Sequence, residues 1–491
     1  MTRSPRTPSV DDPFAAARFD FTAPVPRADE LGHVHFLAIG GAGMSGVARI
    51  MLARGIRVTG SDAKDVPVLK ALESEGAGVW VGFDEAHQER ADAVVMSSSI
   101  RDDNVELVAA RERGVPVLHR AQGLASLMHG RRPVAVAGAN GKTTTTSMLT
   151  VALQGCGLDP SFAVGGELAK HGTNAHDGAD DVFVVEADES DGSFVVYRPE
   201  VAVVTNVQPD HLDFYSNFKV VQAAYDTFVG TIRPGGLLVT CADDPGAVEL
   251  AQRARSRGTR VLTYGFDPTA DVVLRDYQQD GVTAAVTVID VAVERQMTLG
   301  VPGRHNALNA AAAYAAAVHG LGQEPDRVLA GLASFTGTRR RFEPKGEAAG
   351  VVVVDDYAHN AGKVAAVVQT AKELVGDSGR LLVVFQPHLY SRTRDFAAEL
   401  GSGLSPADVV VVMDVYAARE DPLPGVSGAL VADAVSSARP AAEVHYVPSW
   451  SDVAGQVVAL ARPGDLVLTV GAGDVTMVGP EVLRLLGGER P

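Results

Sequence analysis

A glycine-rich stretch, Gly138-Ala139-Asn140-Gly141-Lys142-Thr143-Thr144, opens directly from an apolar run at 133–137. Gly-Lys-Thr at the mouth of a helix is a phosphate cradle. Backbone N–H groups surround the anion, the lysine reaches the β- and γ-phosphates, and the threonine hydroxyl can ligate Mg2+. The strict motif has a further glycine five positions before Gly141, where this chain has Val136, so the loop is a shortened variant. Two later apolar runs end in acids. Residues 182–186 lead into Glu186-Ala187-Asp188-Glu189-Ser190-Asp191, and 201–205 lead into Asn206, Asp210, His211 and Asp213. Four acids in six residues repel one another unless a cation or solvent relieves them. Hard cations take carboxylate, hydroxyl and phosphate oxygens, which marks Thr143 and Glu186 as Mg2+ ligands and His211 as a softer contact. Zinc would want converging His and Cys, and none is indicated.

An earlier glycine loop, Gly41-Ala42-Gly43-Met44-Ser45-Gly46, follows the apolar run at 34–39 and matches G-x-G-x-x-G. Such glycines let backbone amides and a helix N-terminus approach a pyrophosphate. Asp62 lies 21 residues past Gly41, where an acid would meet a ribose hydroxyl. The loop alone does not choose between a nicotinamide dinucleotide and another nucleoside diphosphate. Pro302-Gly303-Arg304-His305-Asn306 opens an Ala-rich helix, and from spacing His305 and Asn306 fit a cap or a nucleotide contact equally. A third polar group lies further on. The runs at 351–354, 381–385 and 408–413 end in Asp355-Asp356-Tyr357-Ala358-His359-Asn360, in Gln386-Pro387-His388-Leu389-Tyr390-Ser391-Arg392, and in Asp414-Val415-Tyr416. His359 and His388 with Arg392 at one sheet edge predict a site, in which the arginine can clamp a carboxylate or phosphate.

The elements that position these residues are strands alternating with helices, so the chain reads as α/β with parallel sheets covered on both faces. Each glycine loop and acidic cluster falls at the carboxyl end of a strand, where open α/β sheets bind ligands. Residues 1–30 carry five prolines and no sustained period, and read as a flexible tail. Three strand–loop–helix openings predict domains at 31–131, 132–338 and 339–491. The alternating pattern around 282–289 predicts antiparallel strands inside the second.

The 491 residues carry 43 Lys+Arg against 60 Asp+Glu, a formal charge of −17. That field repels nucleic acid, so phosphate must be bound in local pockets. No apolar run spans a membrane. The N-terminus lacks the apolar stretch of a signal peptide. Two cysteines without a CxxC pair fit a reducing cytoplasm.

Eight motifs occur together in one order: 39–46 (I-G-G-A-G-M-S-G), 141–146 (G-K-T-T-T-T), 186–194 (E-A-D-E-S-D-G-S-F), 205–213 (T-N-V-Q-P-D-H-L-D), 302–309 (P-G-R-H-N-A-L-N), 340–346 (R-R-F-E-P-K-G), 355–359 (D-D-Y-A-H) and 385–394 (F-Q-P-H-L-Y-S-R-T-R). In register they resemble the Mur ligases of peptidoglycan synthesis, over nearly all of 33–475. The resemblance implies three domains: a Rossmann-like N-terminal one, a P-loop-type central ATPase with a mainly parallel sheet, and a Rossmann-like C-terminal one. It places UDP of a sugar nucleotide on Gly41, Ala42, Gly43, Met44, Ser45 and Gly46, with Asp62 and Ser97. It places ATP on Gly138 to Thr144, with His305, Asn306, Arg340 and Asp355. The incoming amino acid falls to Tyr357, His359, His388 and Arg392, and catalysis to Lys142, Glu186, His211, His388 and Arg392.

The pattern is most like the member that acts first, which implies ATP, UDP-N-acetylmuramate and L-alanine as partners and Mg2+ as cofactor. The oligomeric state stays open. The alternatives are a recycling ligase that attaches a peptide to the same sugar nucleotide and an NAD-dependent oxidoreductase. The chain departs from the family pattern where Ala139 and Asn140 replace Thr and His, where Asn360 and Ala361 follow His359, and where Leu389 replaces an arginine.

Overall fold

The computed structural model describes residues 12–168, 172–376, 379–418 and 420–488. They form two compact units. The first takes in the described residues up to Gln278, with Ala285–Gly300 and Asn306–Thr336; the second takes in Gln279–Ala284, Val301–His305 and the described residues from Gly337 onward.

The first unit holds two sheets. In the N-terminal one, strands Gly78–Val81, Val58–Asp62, Val34–Leu37, Ala93–Met96 and Val117–His119 lie side by side in that order, all parallel. Chain order reverses between Val34–Leu37 and Ala93–Met96, the switch point where such sheets bind ligands. The strand Val34–Leu37 is buried at every position, as a strand covered on both faces must be.

The second sheet runs Val293–Leu299, Thr283–Asp290, Val272–Asp280, Arg260–Gly265, Leu237–Cys241, Val201–Val204, Arg132–Ala137, Val182–Glu186, Ser161–Leu168, Thr173–His176. From Arg260–Gly265 to Ser161–Leu168 neighbouring strands are parallel, and Thr173–His176 closes one edge antiparallel. The strands at 272–299 follow one another as a meander. Val291 and Ala292, both with positive φ, make one two-residue turn of the hairpin kind. Three adjacent strands, Val201–Val204, Arg132–Ala137 and Val182–Glu186, therefore deliver their C-terminal loops to one place. A continuous apolar core joins the two sheets through Val47, Leu124, Phe194 and Phe228.

The stretch read as a flexible tail is packed over residues 14–31. Phe19 and Phe21 are buried in that core, and both rings lie against His119, at 5.4 and 5.3 Å. Arg18 donates to the Ile100 carbonyl at 2.6 Å. Apolar burial of two aromatics outweighs the lack of regular structure. Residues 1–11 lie outside the described residues.

The second unit has a sheet ordered Glu343–Ala348, Val351–Asp356, Leu466–Val470, Leu381–Phe385, Val409–Val412, Glu443–Tyr446. Only the first pairing is antiparallel. Its two faces are covered by separate apolar layers, one around Val368, Phe385 and Leu404, the other around Val384, Val457 and Val482.

Candidate active site

The shortened phosphate loop takes its shape from two glycines and a remote asparagine pair. Gly138 and Gly141 have φ of 136° and 85°. A Cβ on Gly138 would meet Thr205 Oγ1 at 2.0 Å, and one on Gly141 would meet Asn309 Oδ1 at 2.4 Å. No other residue type fits either position. Ala139 between them is buried. Asn140 donates its N–H to Asn206 Oδ1 at 2.9 Å, and its carbonyl accepts from Thr205 Oγ1 and Asn206 Nδ2 at 2.5 and 3.0 Å. Its side chain donates to Gln208 at 2.9 Å. The departure at Asn140 is thus absorbed by the neighbouring strand end. Gly141 caps the helix Lys142–Gly155, so Lys142, Thr143 and Thr144 form its first turn. Asn306, expected as a cap or a nucleotide contact, is a buried interior residue of helix Arg304–Ala315. It accepts from Asn309 Nδ2 at 3.2 Å, and Asn309 Oδ1 accepts from Thr145 at 3.2 Å.

Lys142 and the acidic loop meet directly. Lys142 Nζ donates to the Gly138 carbonyl at 2.7 Å and to Glu189 Oε1 at 2.8 Å. Burial disfavours the ammonium, but Glu189 and Asp188 outweigh it and raise the Lys142 pKa. Asp188 is likewise burdened by burial, yet Lys142 and Arg120 keep it below the usual carboxylate range. Thr143 Oγ1 donates to Glu186 Oε1 at 3.1 Å, and the Gly165 N–H donates to Glu186 Oε2 at 2.7 Å. His211, at φ 53°, stands apart from that pair. Its Nε2 is 3.8 Å from Glu189 Oε1 and 3.9 Å from Asp210 Oδ2. The expected metal set therefore divides into Thr143 with Glu186, and His211 with Glu189. The Thr143 hydroxyl beside the Glu186 carboxylate is an oxygen pair of the kind Mg2+ takes together with phosphate. Among the described residues the buried Glu189 Oε2 has no hydrogen-bond partner, and so remains open to a cation or a donor.

The first glycine loop joins this cluster within the same unit. Helix Ala42–Ala53 starts one residue past Gly41. Met44, Ser45 and Gly46 are buried in it, and Ser45 Oγ donates to the Ala42 carbonyl at 3.1 Å. A Cβ on Gly46 would press on Ala175 at 3.1 Å, and Asn174 Nδ2 donates to the Ala42 carbonyl at 2.7 Å. A Cβ on Gly43 would meet Arg120 Nη1 at 2.7 Å. Asp62, expected to face a ribose, accepts from the Gly40 and Lys64 N–H groups at 2.9 and 3.2 Å and so braces the loop. Ser97 sits at the end of the strand across the switch point, 3.1 Å from Ser99 Oγ.

Beside it, Ser98, His119 and Asp191 form a constellation that resembles a hydrolytic triad but cannot work as one. His119 Nδ1 accepts from the Ala121 N–H at 3.2 Å, so the ring proton lies on Nε2. That nitrogen faces Asp191 at 3.2 Å and cannot take the proton of Ser98, which donates to Asp191 at 2.6 Å.

In the second unit the predicted residues form a row of rings. Tyr357 and His359 are 5.2 Å apart, His359 and His388 5.5 Å, and His388 and Tyr416 6.0 Å. Burial drives the His359 pKa well below the usual imidazole value, and Lys363 and Arg392 push the same way. Arg340 lies over the Tyr357 ring at 4.8 Å and donates to the Gly471 carbonyl at 2.8 Å. Arg392 follows on the helix Tyr390–Leu404. Asp355, expected at the nucleotide, is fully buried. It accepts from Thr469 and Thr476 at 2.6 and 2.7 Å, which makes it a brace between strand ends. His305, beside Gly303, is forced neutral by burial, its pKa lowered to about 4. The two remaining departures have local roles. Asn360 caps the helix Ala361–Val375 by accepting from Lys363 N, and buried Leu389, at φ 70°, starts the next helix.

Residues outside the sequence prediction complete the site: Glu189, Asn206, Asn309 and Arg120. Glu189 lies inside the quoted acidic run, and Asn309 is one turn past Asn306. Arg120 carries no motif.

The chain matches three family models: "Mur ligase family, catalytic domain" over residues 33–132, "Mur ligase middle domain" over 136–317, and "Mur ligase, glutamate ligase domain" over 340–473. It is 57% identical over 467 residues to the UDP-N-acetylmuramate–L-alanine ligase of Kineococcus radiotolerans, covering 94% of this chain and 98% of that one. It is 54% identical over 479 residues to that of Saccharopolyspora erythraea, covering 96% and 95%. Among solved structures it is similar to the UDP-N-acetylmuramate–alanine ligase of Thermotoga maritima, with TM-score 0.79 and 28% identity, covering 93% of this chain and all of that one. A murein peptide ligase of Psychrobacter arcticus gives TM-score 0.68 and 25% identity, covering 94% and 100%. With phosphate loop, acidic loop and opening glycines joined as described, and with all three models matched in order, the chain belongs to the Mur ligase family.

Proposed function

We propose that this chain joins L-alanine to the lactyl carboxylate of UDP-N-acetylmuramate, with ATP converted to ADP and phosphate. The observation that carries this reading is the meeting of Lys142, Thr143, Glu186 and Glu189 at two adjacent strand ends, in the unit that also holds the Gly41–Gly46 loop. Relatives above half identity named for this reaction support the choice over the recycling ligase. The oxidoreductase alternative leaves the Lys142 cluster without a purpose.

In this reading a carboxylate oxygen of the sugar attacks the γ-phosphorus, the bond to the β-phosphate oxygen breaks, and ADP leaves an acyl phosphate. The amine of L-alanine then attacks the acyl carbon, phosphate departs, and the amine loses a proton. Both steps gather negative charge, so preorganised cations are the main need. Lys142, already held charged, supplies one at the β- and γ-phosphates. Thr143 and Glu186 would hold Mg2+, which when bound neutralises phosphate charge. His211 with Glu189 faces the same loop. Tyr357, His359, His388 and Arg392 orient the amino acid, the arginine by pairing with its carboxylate. Burial keeps the His359 ring neutral and weakens it as a base, which suits it to a hydrogen bond with the amino acid rather than to holding a proton.

The acidic chain and its unpaired cysteines fit a cytoplasmic setting. Among the described residues no helix is long and apolar enough to cross a membrane. The test is phosphate release from ATP and Mg2+ with UDP-N-acetylmuramate, each amino acid offered in turn. L-alanine is expected to give the highest kcat/KM. Turnover only with a preformed peptide would support the recycling alternative instead.

A further inference from the structure

The guanidinium of Arg120 lies between the first glycine loop and the acidic loop. On one side it fills the space left by the missing side chain of Gly43, where a Cβ would come within 2.7 Å of Nη1 and 3.0 Å of Cδ. On the other side Nη2 lies 3.6 Å from Asp188 Oδ2, an ion pair too long for a good hydrogen bond. Among the described residues no acceptor lies within hydrogen-bond distance of the guanidinium. The side chain keeps 23% of its exposure, so a ligand can reach it.

The base of the side chain is rigid. His119 caps the helix Arg120–Ser126 in a reciprocal box with Gln122, and its ring is pinned between Asp191 and the two phenylalanines. A planar fork of donors, fixed in place beside a glycine of an anion loop and lacking acceptors, is built for a diphosphate. It is also needed there, because Asp188, Asp191 and Glu186 make the surroundings negative. Gly43 is then glycine for a reason the G-x-G-x-x-G pattern does not state: it makes room for the cation that the ligand needs.

We infer that Arg120 binds the diphosphate of the sugar nucleotide over the Gly41–Gly46 loop, and that Asp188 is the positioning residue that aims its guanidinium there. This rests on the reading of the first loop as the sugar-nucleotide site. It assigns a specific cation to that site and gives an acid of the ATP-side loop a role in holding the other substrate. Asp188 thereby links the two anion cradles through one side chain.

The test is calorimetric titration of UDP-N-acetylmuramate into the full chain without ATP. Arg120→Ala is expected to weaken binding about ten- to hundred-fold, the worth of charged hydrogen bonds. Arg120→Lys, which keeps the charge and loses the fork, should recover part of it. Asp188→Asn should weaken binding about three- to ten-fold when Arg120 is present and should cause no further loss in the Arg120→Ala background. Unchanged melting curves show that the variants fold. Arg120→Ala binding within two-fold of wild type overturns the inference, as does an Asp188→Asn loss of equal size in both backgrounds. Failure of the wild type itself to bind UDP-N-acetylmuramate overturns the reading of the loop and the inference with it.

Discussion

Lys142 Nζ and Glu189 Oε1 lie 2.8 Å apart, and the two side chains keep only 12% and 3% of their exposure. In the proposed function this pair meets a phosphate with its ammonium already charged and held in place. Removing one partner strands the other. Lys142→Ala should lower phosphate release at least about 100-fold and cost about 3–5 kcal/mol of stability. The double variant with Glu189→Gln should recover most of the stability and none of the activity. UDP-N-acetylmuramate binding should survive in both. Denaturant melts and a phosphate assay check this, and retained turnover would remove Lys142 from the cradle.

Glu186 accepts from Thr143 through one oxygen and from the Gly165 N–H through the other. Glu186→Gln preserves the shape and loses the charge. Its Mg2+ titration should shift upward by about ten-fold or more, the range seen when a carboxylate that supports a metal is altered. An unchanged titration would take Glu186 out of contact with the metal.

Gly141 combines a left-handed backbone with Asn309 Oδ1 only 2.4 Å from where a Cβ would stand. Gly141→Ala should shift the start of the Lys142 helix and lower kcat by about 100-fold, since small misplacements at a reacting centre carry that penalty. The variant should still melt cooperatively. Normal kcat would mean that the loop tolerates another backbone shape.

Burial alone would raise the Asp191 pKa, but bonds from His119, Ser193 and Ser98 depress it below the usual carboxylate range. A depressed carboxylate contributes stability above its unfolded pKa, and this is lost as pH falls through the folded value. Asp191→Asn should therefore be less stable than wild type by about 2 kcal/mol near pH 7. The gap should narrow progressively below about pH 4. Melts from pH 7 down to pH 3 measure it, and a constant gap would show that the charge plays no part.

The phosphate loop was legible because its residues are contiguous and each has one physical job. The gathering of Glu186 and His211 near it followed from the rule that parallel sheets bind ligands at their carboxyl ends. What spacing does not carry is which acid points inward. Four acids stand at 186–191, and Glu189, paired with Lys142, is the one among them that is buried. Asn309 and Arg120 belong to helices that spacing does not bring to either loop. The spacing past Gly41 marks Asp62 as a ribose contact, and the resemblance marks Asp355 as a nucleotide contact. In the structure half-buried Asp62 accepts from the Gly40 and Lys64 N–H groups, and buried Asp355 accepts from two threonine hydroxyls, donors that no motif spacing announces. Among residues 14–31 the signal was present but outvoted. Phe19 and Phe21 alternate amid prolines, and a composition argument averages two aromatics away.

The placement of those two rings has a consequence for anyone who handles this enzyme. They sit on His119, and His119 grips Asp191 on the acidic loop. The leading segment is therefore a strap whose buckle lies on the acidic loop that Lys142 also grips. Shortening the chain to begin at the first strand, or grafting a bulky fusion close to Phe19, would slacken the acidic loop from behind while leaving every motif untouched.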